Sequence, residues 1–252
     1  MSSWSMRRRF GYFLIFLAGL VLLVGVPSFF TFYRAPTCSD GKMNGAETGI
    51  DCGGNCAKLC PADYAAPRVL WSYSVRVLPG VYNALAYVQN PNTSVEAASV
   101  PYLFKLYDKD GLLIVQKTGR AYVPAGQRFA VFEGGIATGE RVPARTTFEF
   151  TGDADWRQGS MLSKLRAENT DLIQTGSPRA QVQVRNESVD RTYSDVTAYI
   201  ILYDASDNRV SFSKTVLDPI KPGDRQMINF TWPEPFATSV VRTEVLFVGT
   251  GK

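Results

Sequence analysis

The sequence FKLYD at residues 104–108 decides the fold, because a near copy, IILYD, stands at residues 200–204. The two lie 96 positions apart, and residues 84–90 (ALAYVQN) match residues 180–186 (AQVQVRN) at the same offset. Self-similarity at a fixed period is the signature of duplicated modules, and a period of this length corresponds to a whole small domain. The sequence therefore predicts one kind of domain that occurs twice.

Each copy of the motif ends an alternating stretch that is typical of a β-strand. The apolar positions on one face are Val100, Tyr102, Phe104 and Leu106 in the first copy, and Val196, Ala198, Ile200 and Leu202 in the second. Turn-forming sequences follow, DKDG at residues 108–111 and DASDN at residues 204–208, and an extended run resumes after each. Period-two alternation bounded by such turns indicates β-hairpins, and regularly spaced short strands favour an antiparallel β-sandwich.

This order of motif and turns resembles the FxLYD family of bacterial extracytoplasmic β-sandwich domains, named for Phe-x-Leu-Tyr-Asp. The first copy matches the motif in full, whereas the second has Ile200 in place of Phe. The resemblance implies a structural motif, in which Phe and Leu fill the core, Tyr covers the other face of the sheet and Asp starts the turn. It implies no catalytic residue. We expect an all-β fold with two tandem antiparallel, immunoglobulin-like (Ig-like) β-sandwich domains at residues 68–152 and 156–252.

The N-terminal segment predicts a membrane anchor. Residues 10–33 carry no charge and are long and apolar enough to cross a bilayer as one transmembrane helix. A cleavable signal peptide is the competing interpretation, but the apolar stretch continues through Phe32 without a clear small-x-small cleavage site. Three arginines at residues 7–9 precede the segment and only Arg34 follows it closely. The positive-inside rule therefore predicts a cytoplasmic N-terminus at residues 1–9 and extracytoplasmic domains after the helix.

All four cysteines fall in residues 34–61, directly after the predicted anchor. They are Cys38, Cys52, Cys56 and Cys60. An even, clustered set of cysteines in an oxidising compartment is typical of disulfides, so we expect two, with three connectivities open. A zinc or iron–sulfur site is the alternative, and the extracytoplasmic location disfavours it.

Oxygen-bearing side chains alternate with these cysteines on a glycine-rich loop. Asp40, Asn44, Glu47 and Asp51 offer the hard ligands that calcium prefers. An EF-hand is excluded because Lys42 occupies the third loop position, where an oxygen ligand is needed. The alternative is that these side chains close turns by hydrogen bonding to their own backbone. The pattern CxDGxxNGxExxxDCGGxC resembles a cysteine-rich module of bacterial surface and secreted proteins, which supports the location.

The remaining sequence argues against an enzyme and against nucleic-acid binding. The chain contains no histidine, which removes the commonest general base and metal ligand. Three of its +4 net charges come from residues 7–9, so little basic field remains for nucleic acid. Residues 232–236 (WPEPF) are either a binding edge or, as we favour, a strand end packed on the core.

Three hypotheses of function follow from different classes. The leading one is a non-enzymatic, membrane-anchored extracytoplasmic protein whose tandem sandwiches contact an unknown protein partner in the cell envelope. The alternative is a calcium- or ligand-binding envelope sensor that acts through the cysteine-rich module, with calcium as the one cofactor that the pattern allows. A hydrolase with a histidine-free site is the least supported.

Overall fold

The computed structural model describes residues 3–33, 35–159 and 164–251. Its helical part comprises α1 (Ser3–Leu20), a π-helical turn (Val21–Gly25), α2 (Val26–Phe32) and a 3-10 turn (Pro61–Asp63). The strands are β1 (Arg68–Leu78), β2 (Val81–Gln89), β3 (Val95–Tyr107), β4 (Leu113–Val123), β5 (Arg128–Ala137), β6 (Arg145–Phe150), β7 (Trp156–Gln158), β8 (Leu165–Ile173), β9 (Arg179–Asn186), β10 (Tyr193–Tyr203), β11 (Arg209–Val216), β12 (Arg225–Thr231) and β13 (Arg242–Gly251). Arg34, used above to predict orientation, and Lys252 lie outside the described residues. The chain divides into two compact units, Met1–Cys56 and Ala57–Lys252.

The N-terminal helix is apolar and uncovered. Its 24-residue window Met6–Phe29 has a mean hydropathy of 2.3, and none of it is buried by the rest of the protein. Its large apolar side chains are mostly exposed, and Leu23, for example, is 76% exposed. A helix of this length and composition can cross a bilayer, as the sequence predicts.

All pairings within the β-sheets are antiparallel, which confirms the predicted sheet type. The first sequence copy forms sheet 1 (β1-β2-β5) and sheet 2 (β4-β3-β6, with β7 on β3). The second copy forms sheet 3 (β8-β9-β12) and sheet 4 (β11-β10-β13). Strand order is therefore the same in both copies, as expected of a duplicated module.

The aspartate that ends each motif builds the hairpin turn. Asp108 Oδ1 accepts hydrogen bonds from the backbone N–H groups of Asp110 at 3.0 Å and Leu112 at 2.9 Å. In the second copy, Asp204 Oδ1 accepts hydrogen bonds from the backbone N–H groups of Ser206 at 2.8 Å and Asn208 at 2.9 Å. These Asx-type contacts satisfy backbone donors that the turn leaves unpaired.

The strand phase predicted from the motif is confirmed. Phe104 and Leu106 are fully buried, and so is Ile200 at the matched position of the second copy. Lys105 lies on the opposite face of β3, where its Nζ is 2.9 Å from a Glu149 carboxylate oxygen. Alternation along a strand places these neighbours on opposite faces of the sheet.

One apolar cluster lies between the two sheets of each copy. The first cluster draws mainly on sheets 1 and 2, includes Phe104 and Phe129, and also takes in Val248 of sheet 4. The second draws on sheets 3 and 4 and centres on Ile200 and Phe230. Each sheet pair thus buries its facing surfaces, which is the layer arrangement that removes apolar strand faces from water.

A third cluster joins the two copies. Leu85 and Tyr87 of sheet 1 pack with Ile201, Tyr203 and Phe212 of sheet 4, on faces that point away from both other clusters. Sheets 1 and 4 are therefore covered on both faces, and residues 57–252 form one compact unit. This explains why residues 198–203 of β10 are all apolar instead of alternating.

The faces that meet are not equivalent between the copies. Sheet 1 corresponds to sheet 3 and sheet 2 corresponds to sheet 4, so the junction uses a different face of each copy. On the two uncovered faces, polar residues occupy the positions that match the buried apolar residues of the junction. Gln181 corresponds to Leu85, Gln183 to Tyr87, Lys105 to Ile201 and Gln116 to Phe212. The sequences of the two copies have diverged where one is covered and the other is not.

Residues 59–67, which lead into β1, are packed on the first copy. Tyr64 stacks on Trp156 with ring centroids 4.7 Å apart. The Leu59 N–H donates to the Trp156 carbonyl at 2.7 Å, and the Asn92 side chain bonds to both backbone groups of Ala65 at 2.8 and 2.6 Å. These contacts fix the path by which the chain enters β1.

Candidate functional site

The cysteine-rich module is held by disulfides, as predicted. Cys38 is bonded to Cys56 with a Cα–Cα distance of 5.7 Å. The remaining two cysteines, Cys52 and Cys60, are disulfide-bonded as well. Disulfides rather than a large core stabilise small modules of this type.

Backbone geometry in the module requires glycine at a specific place. Gly54 has a positive φ of +59°, and a Cβ at this position would lie 1.6 Å from the Ala46 carbonyl oxygen. Any other residue would clash with backbone that cannot move aside. Asp51 also adopts a positive φ, of +54°, which Asp tolerates better than most residues.

Asp40 and Asn44 are brought together by the loop. Asn44 Nδ2 donates to Asp40 Oδ2 at 2.9 Å, and the Lys42 N–H donates to Asp40 Oδ1 at 3.0 Å. The Asn44 hydrogen bond is the main cause that lowers the pKa of the Asp40 carboxyl. The contact between the two side chains therefore closes the turn and favours the ionised form of the Asp40 carboxyl.

Asp51 and Glu47 make further contacts with the backbone of the module. Both Asp51 carboxylate oxygens accept the Gly41 N–H at 3.0 Å, and Glu47 Oε2 accepts the Asn44 N–H at 3.2 Å. The Glu47 contact closes a short turn, as the alternative to calcium expects, whereas the Asp51 contact joins positions ten residues apart in the loop.

Within the described residues, the close group of potential ligand atoms in this module is Cys38, Glu47 and Cys56, which lie within 4.8 Å of one another. Two of these atoms are the sulfurs of one disulfide, so they are not the thiolates that metals bind. The four predicted calcium ligands occupy one loop, and their use by calcium stays a prediction.

A polar cluster at the junction of the two copies was not foreseen from the sequence. The Tyr87 and Tyr203 hydroxyls both donate to the Glu244 carboxylate, Tyr203 at 3.1 Å. Burial, followed by the hydrogen bond to Glu244, raises the pKa of Tyr87 to about 12. One carboxylate thus ties sheet 1 to sheet 4.

The motif tyrosine has the same neighbour in both copies. Arg145 lies over the Tyr107 ring at 4.4 Å, and Arg242 lies over the Tyr203 ring at 3.6 Å. These arginines pair directly with the tyrosines across the sheet. The sequence analysis did not predict this cation–π contact, and the arginine repeated at residues 145 and 242 is the signal that could have indicated it.

The two aromatic residues of the segment 232–236 (WPEPF), Trp232 and Phe236, pack on the core, as we favoured, and the segment also lines a groove. Trp232 is 7% exposed and packs edge-to-face with Phe236, with ring centroids 5.2 Å apart. The groove, of about 460 Å³, runs between this loop and β1, where Tyr73 and Arg76 form the facing wall. The packing on the core is therefore confirmed for Trp232, and a binding role for the segment stays a prediction.

A scan against protein-family models finds no family that matches this chain, and a search of curated proteins finds no relative.

Proposed function

We propose that the chain is a non-enzymatic, membrane-anchored protein of the cell envelope. Residues 10–33 cross the membrane, residues 1–9 lie in the cytoplasm, and the cysteine-rich module and the β-sheets lie outside. The two sheet pairs act as tandem Ig-like β-sandwiches that contact a protein partner in the envelope. The resemblance of both motifs to FxLYD domains supports this assignment.

The observation that carries the proposal is an apolar helix, uncovered along its 24-residue window, that leads directly into a disulfide-bonded module. Uncovered apolar surface of this size needs a lipid environment or a partner. Disulfides persist in oxidising compartments outside the cytoplasm. Arginines 7–9 before the helix support a cytoplasmic N-terminus.

A non-enzymatic role is supported by how four of the carboxylates are used. Asp108 and Asp204 close turns, Glu244 joins the two copies, and Glu168 pairs with two arginines. Carboxylates that hold the fold together are engaged structurally, and they are not free to serve as general acids or bases. The joined sheets form one compact unit that can present surfaces to another protein.

Protease added to intact spheroplasts tests the topology. We expect removal of both β-sheet pairs and recovery of a small membrane-bound fragment that contains residues 10–33. Protection of the β-sheets would contradict the extracytoplasmic location. Recovery of soluble protein that begins near Pro36 would show a cleaved signal peptide instead of an anchor.

Photocrosslinking in living cells tests the contact role. A photoreactive amino acid at surface positions of the β-sheets should give discrete crosslinked bands with envelope proteins. The matched control carries the same group in residues 1–9, which should give none of these bands. Absence of any discrete band from all the β-sheet positions would argue against the proposal.

The alternative of a calcium sensor is supported by one atom. Asn44 Oδ1 is buried and has no hydrogen-bond partner, which leaves an oxygen available to a cation. Calcium at ~100 times its dissociation constant would then stabilise the module by about 2.7 kcal/mol. Limited proteolysis with calcium and with chelator measures this, and Asp51→Asn should reduce the difference. Equal cleavage rates would exclude the sensor.

A further inference from the structure

The two sequence copies contain three Asn-x-Ser/Thr sequences, the sequon to which N-linked glycans are attached. They are NTS at residues 92–94, NES at residues 186–188 and NFT at residues 229–231. A glycan is bonded to the side-chain nitrogen of the asparagine, so this nitrogen loses one of its two N–H groups. The surroundings of each nitrogen therefore show which sequon can carry a glycan in the folded protein.

In two of the sequons, the fold uses both N–H groups of the asparagine. Asn186 is fully buried, and its Nδ2 donates to the carbonyl oxygens of Arg191 at 2.8 Å and Ile220 at 3.1 Å. Asn92 Nδ2 also donates to two acceptors, a backbone carbonyl at 2.6 Å and a neighbouring asparagine side chain at 2.8 Å. A sugar on either nitrogen would remove one of these hydrogen bonds, and the close-packed interior around Asn186 has no room for it.

The third sequon lies on the surface, in β12 at the edge of sheet 3. Asn229 is exposed, and in the part of the chain that the structure describes its carboxamide has no hydrogen-bond partner. Thr231 is exposed as well, and alternation along the strand places both side chains on the same outer face. Phe230 between them packs in the core of the second copy. The strand is therefore held in place while both sequon side chains stay accessible.

The surroundings of Asn229 suit a glycan. Its cross-strand neighbour is Gln181, which in turn pairs with Asp171 on β8. Both neighbours are exposed, so this row offers amide and carboxylate groups for hydrogen bonds with sugar hydroxyls. Because β12 pairs with β9 on one side only, a glycan there would also shield a strand edge that is open to pairing with another chain.

We propose that Asn229 carries an N-linked glycan. The donor is an oligosaccharide that is joined through its anomeric carbon to a lipid diphosphate. In the transfer, the bond between the anomeric carbon and the diphosphate oxygen breaks, and a bond from that carbon to Asn229 Nδ2 forms. The lipid diphosphate leaves and takes up the proton that Nδ2 gives up. The inference rests on the extracytoplasmic location in the proposed function, where a membrane-bound transferase meets the chain.

Trypsin separates the three sequons, which makes mass spectrometry a direct test. Cleavage after lysine and arginine places them, in chain order, in residues 77–105, 186–191 and 226–242. In the full chain purified from its native membranes, we expect sugar residues on the peptide 226–242 and none on the other two peptides. An unmodified peptide 226–242 would overturn the proposal. Sugar on the peptide 186–191 would contradict the selection of the site by the fold.

Variants expressed in the native cells identify the acceptor. Asn229→Gln removes it, and Thr231→Val removes the hydroxyl that the sequon needs while the asparagine stays in place. Both variants should migrate faster than the wild type on a denaturing gel, because they lack the glycan. Thr231→Ser keeps the sequon and Asn92→Gln is the matched control, so both should migrate as the wild type does. Wild-type migration of Asn229→Gln would refute the site.

The result can be distinguished from a failure of the proposed function. If protease shows that the β-sheets are extracytoplasmic and the peptide 226–242 carries no sugar, the location stands and the glycan proposal fails. If Asn229 carries sugar while photocrosslinking finds no envelope partner, the glycan proposal stands and the contact role fails.

Discussion

At the scale of single residues, the motif FKLYD assigns one task to each position. Phe104 and Leu106 fill the core, Tyr107 stacks under Arg145, and Asp108 closes the turn. Lys105 lies on the opposite face of the strand and pairs with a neighbouring carboxylate. Five consecutive residues therefore specify a strand phase, a sheet neighbour and a hairpin.

Phe104→Ala should lower the free energy of unfolding by roughly 3 to 5 kcal/mol, because it leaves a cavity at a fully buried site. Lys105→Ala is the matched control and should change stability little, because an exposed ion pair contributes about 0 to 1 kcal/mol. Urea unfolding of the full chain followed by circular dichroism measures both. Equal losses for the two variants would mean that the strand phase is wrong.

Tyr87 predicts a loss of stability at high pH. Its pKa is raised to about 12 in the folded protein, from about 10 for a free phenol. A raised pKa stabilises the fold fully below pH about 10, and this contribution disappears as the pH rises through 12. The melting temperature should therefore fall across this window, and Tyr87→Phe should flatten that part of the profile. An unchanged profile in the variant would exclude this cause.

At the scale of elements, the sequence predicts the strands better than their packing. Alternation marks β3 because one face is buried and Lys105 lies on the other. In β10, alternation correctly predicts that Ile200 is buried, but it does not explain why Ile201 is equally buried. That second face is covered by sheet 1, a contact between residues more than 100 positions apart, and local periodicity carries no information about it.

In the cysteine-rich module, too, the sequence predicts the kinds of bonds but not which residues form them. Cysteine count and compartment predict two disulfides, but spacing leaves the pairing of Cys38 open. Asp40 and Asp51 suit calcium by residue type, and in the structure their oxygens receive backbone N–H groups of the same loop. A carboxylate offers the same oxygens to a cation and to its own backbone, so residue type alone does not distinguish them.

Reduction of the disulfides should affect the module and spare the β-sheets. Neither cysteine pair closes a loop within β1 to β13, so the sheets lose no covalent constraint. Calorimetry with a thiol-free phosphine reductant should show nearly the same main melting transition. Limited proteolysis should show faster cleavage within residues 38–60. A large drop in the main transition would show that the module stabilises the sheets.

At the scale of the whole molecule, the two copies depend on each other. Sheets 1 and 4 bury Leu85, Tyr87 and Ile201 only because they face one another. A single copy would expose this apolar face to water, and a large exposed apolar patch favours aggregation. Residues 57–252 therefore form one folded body from two similar halves.

Leu85→Gln should separate the two copies. The variant places at this covered position the glutamine that the second copy has at residue 181. We expect the free energy of unfolding to fall by roughly 2 to 4 kcal/mol, because apolar burial is lost and an amide is buried. Gln181→Leu is the reciprocal control, on the uncovered sheet 3, and should leave stability nearly unchanged. Differential scanning calorimetry measures both. Two separate transitions in Leu85→Gln would show independent melting, and wild-type stability would contradict the junction.

The use of non-equivalent faces has a consequence for assembly. An interface between two different faces of a repeated unit does not close on itself, so further copies could add by the same operation and build a filament. Sheet 3 of one molecule would then stack on sheet 2 of the next. Gln181 and Gln183 on one free end, with Lys105 and Gln116 on the other, put amides and a charge where stacking needs apolar side chains. These four polar residues therefore disfavour stacking of a third copy, because stacking would bury them without partners.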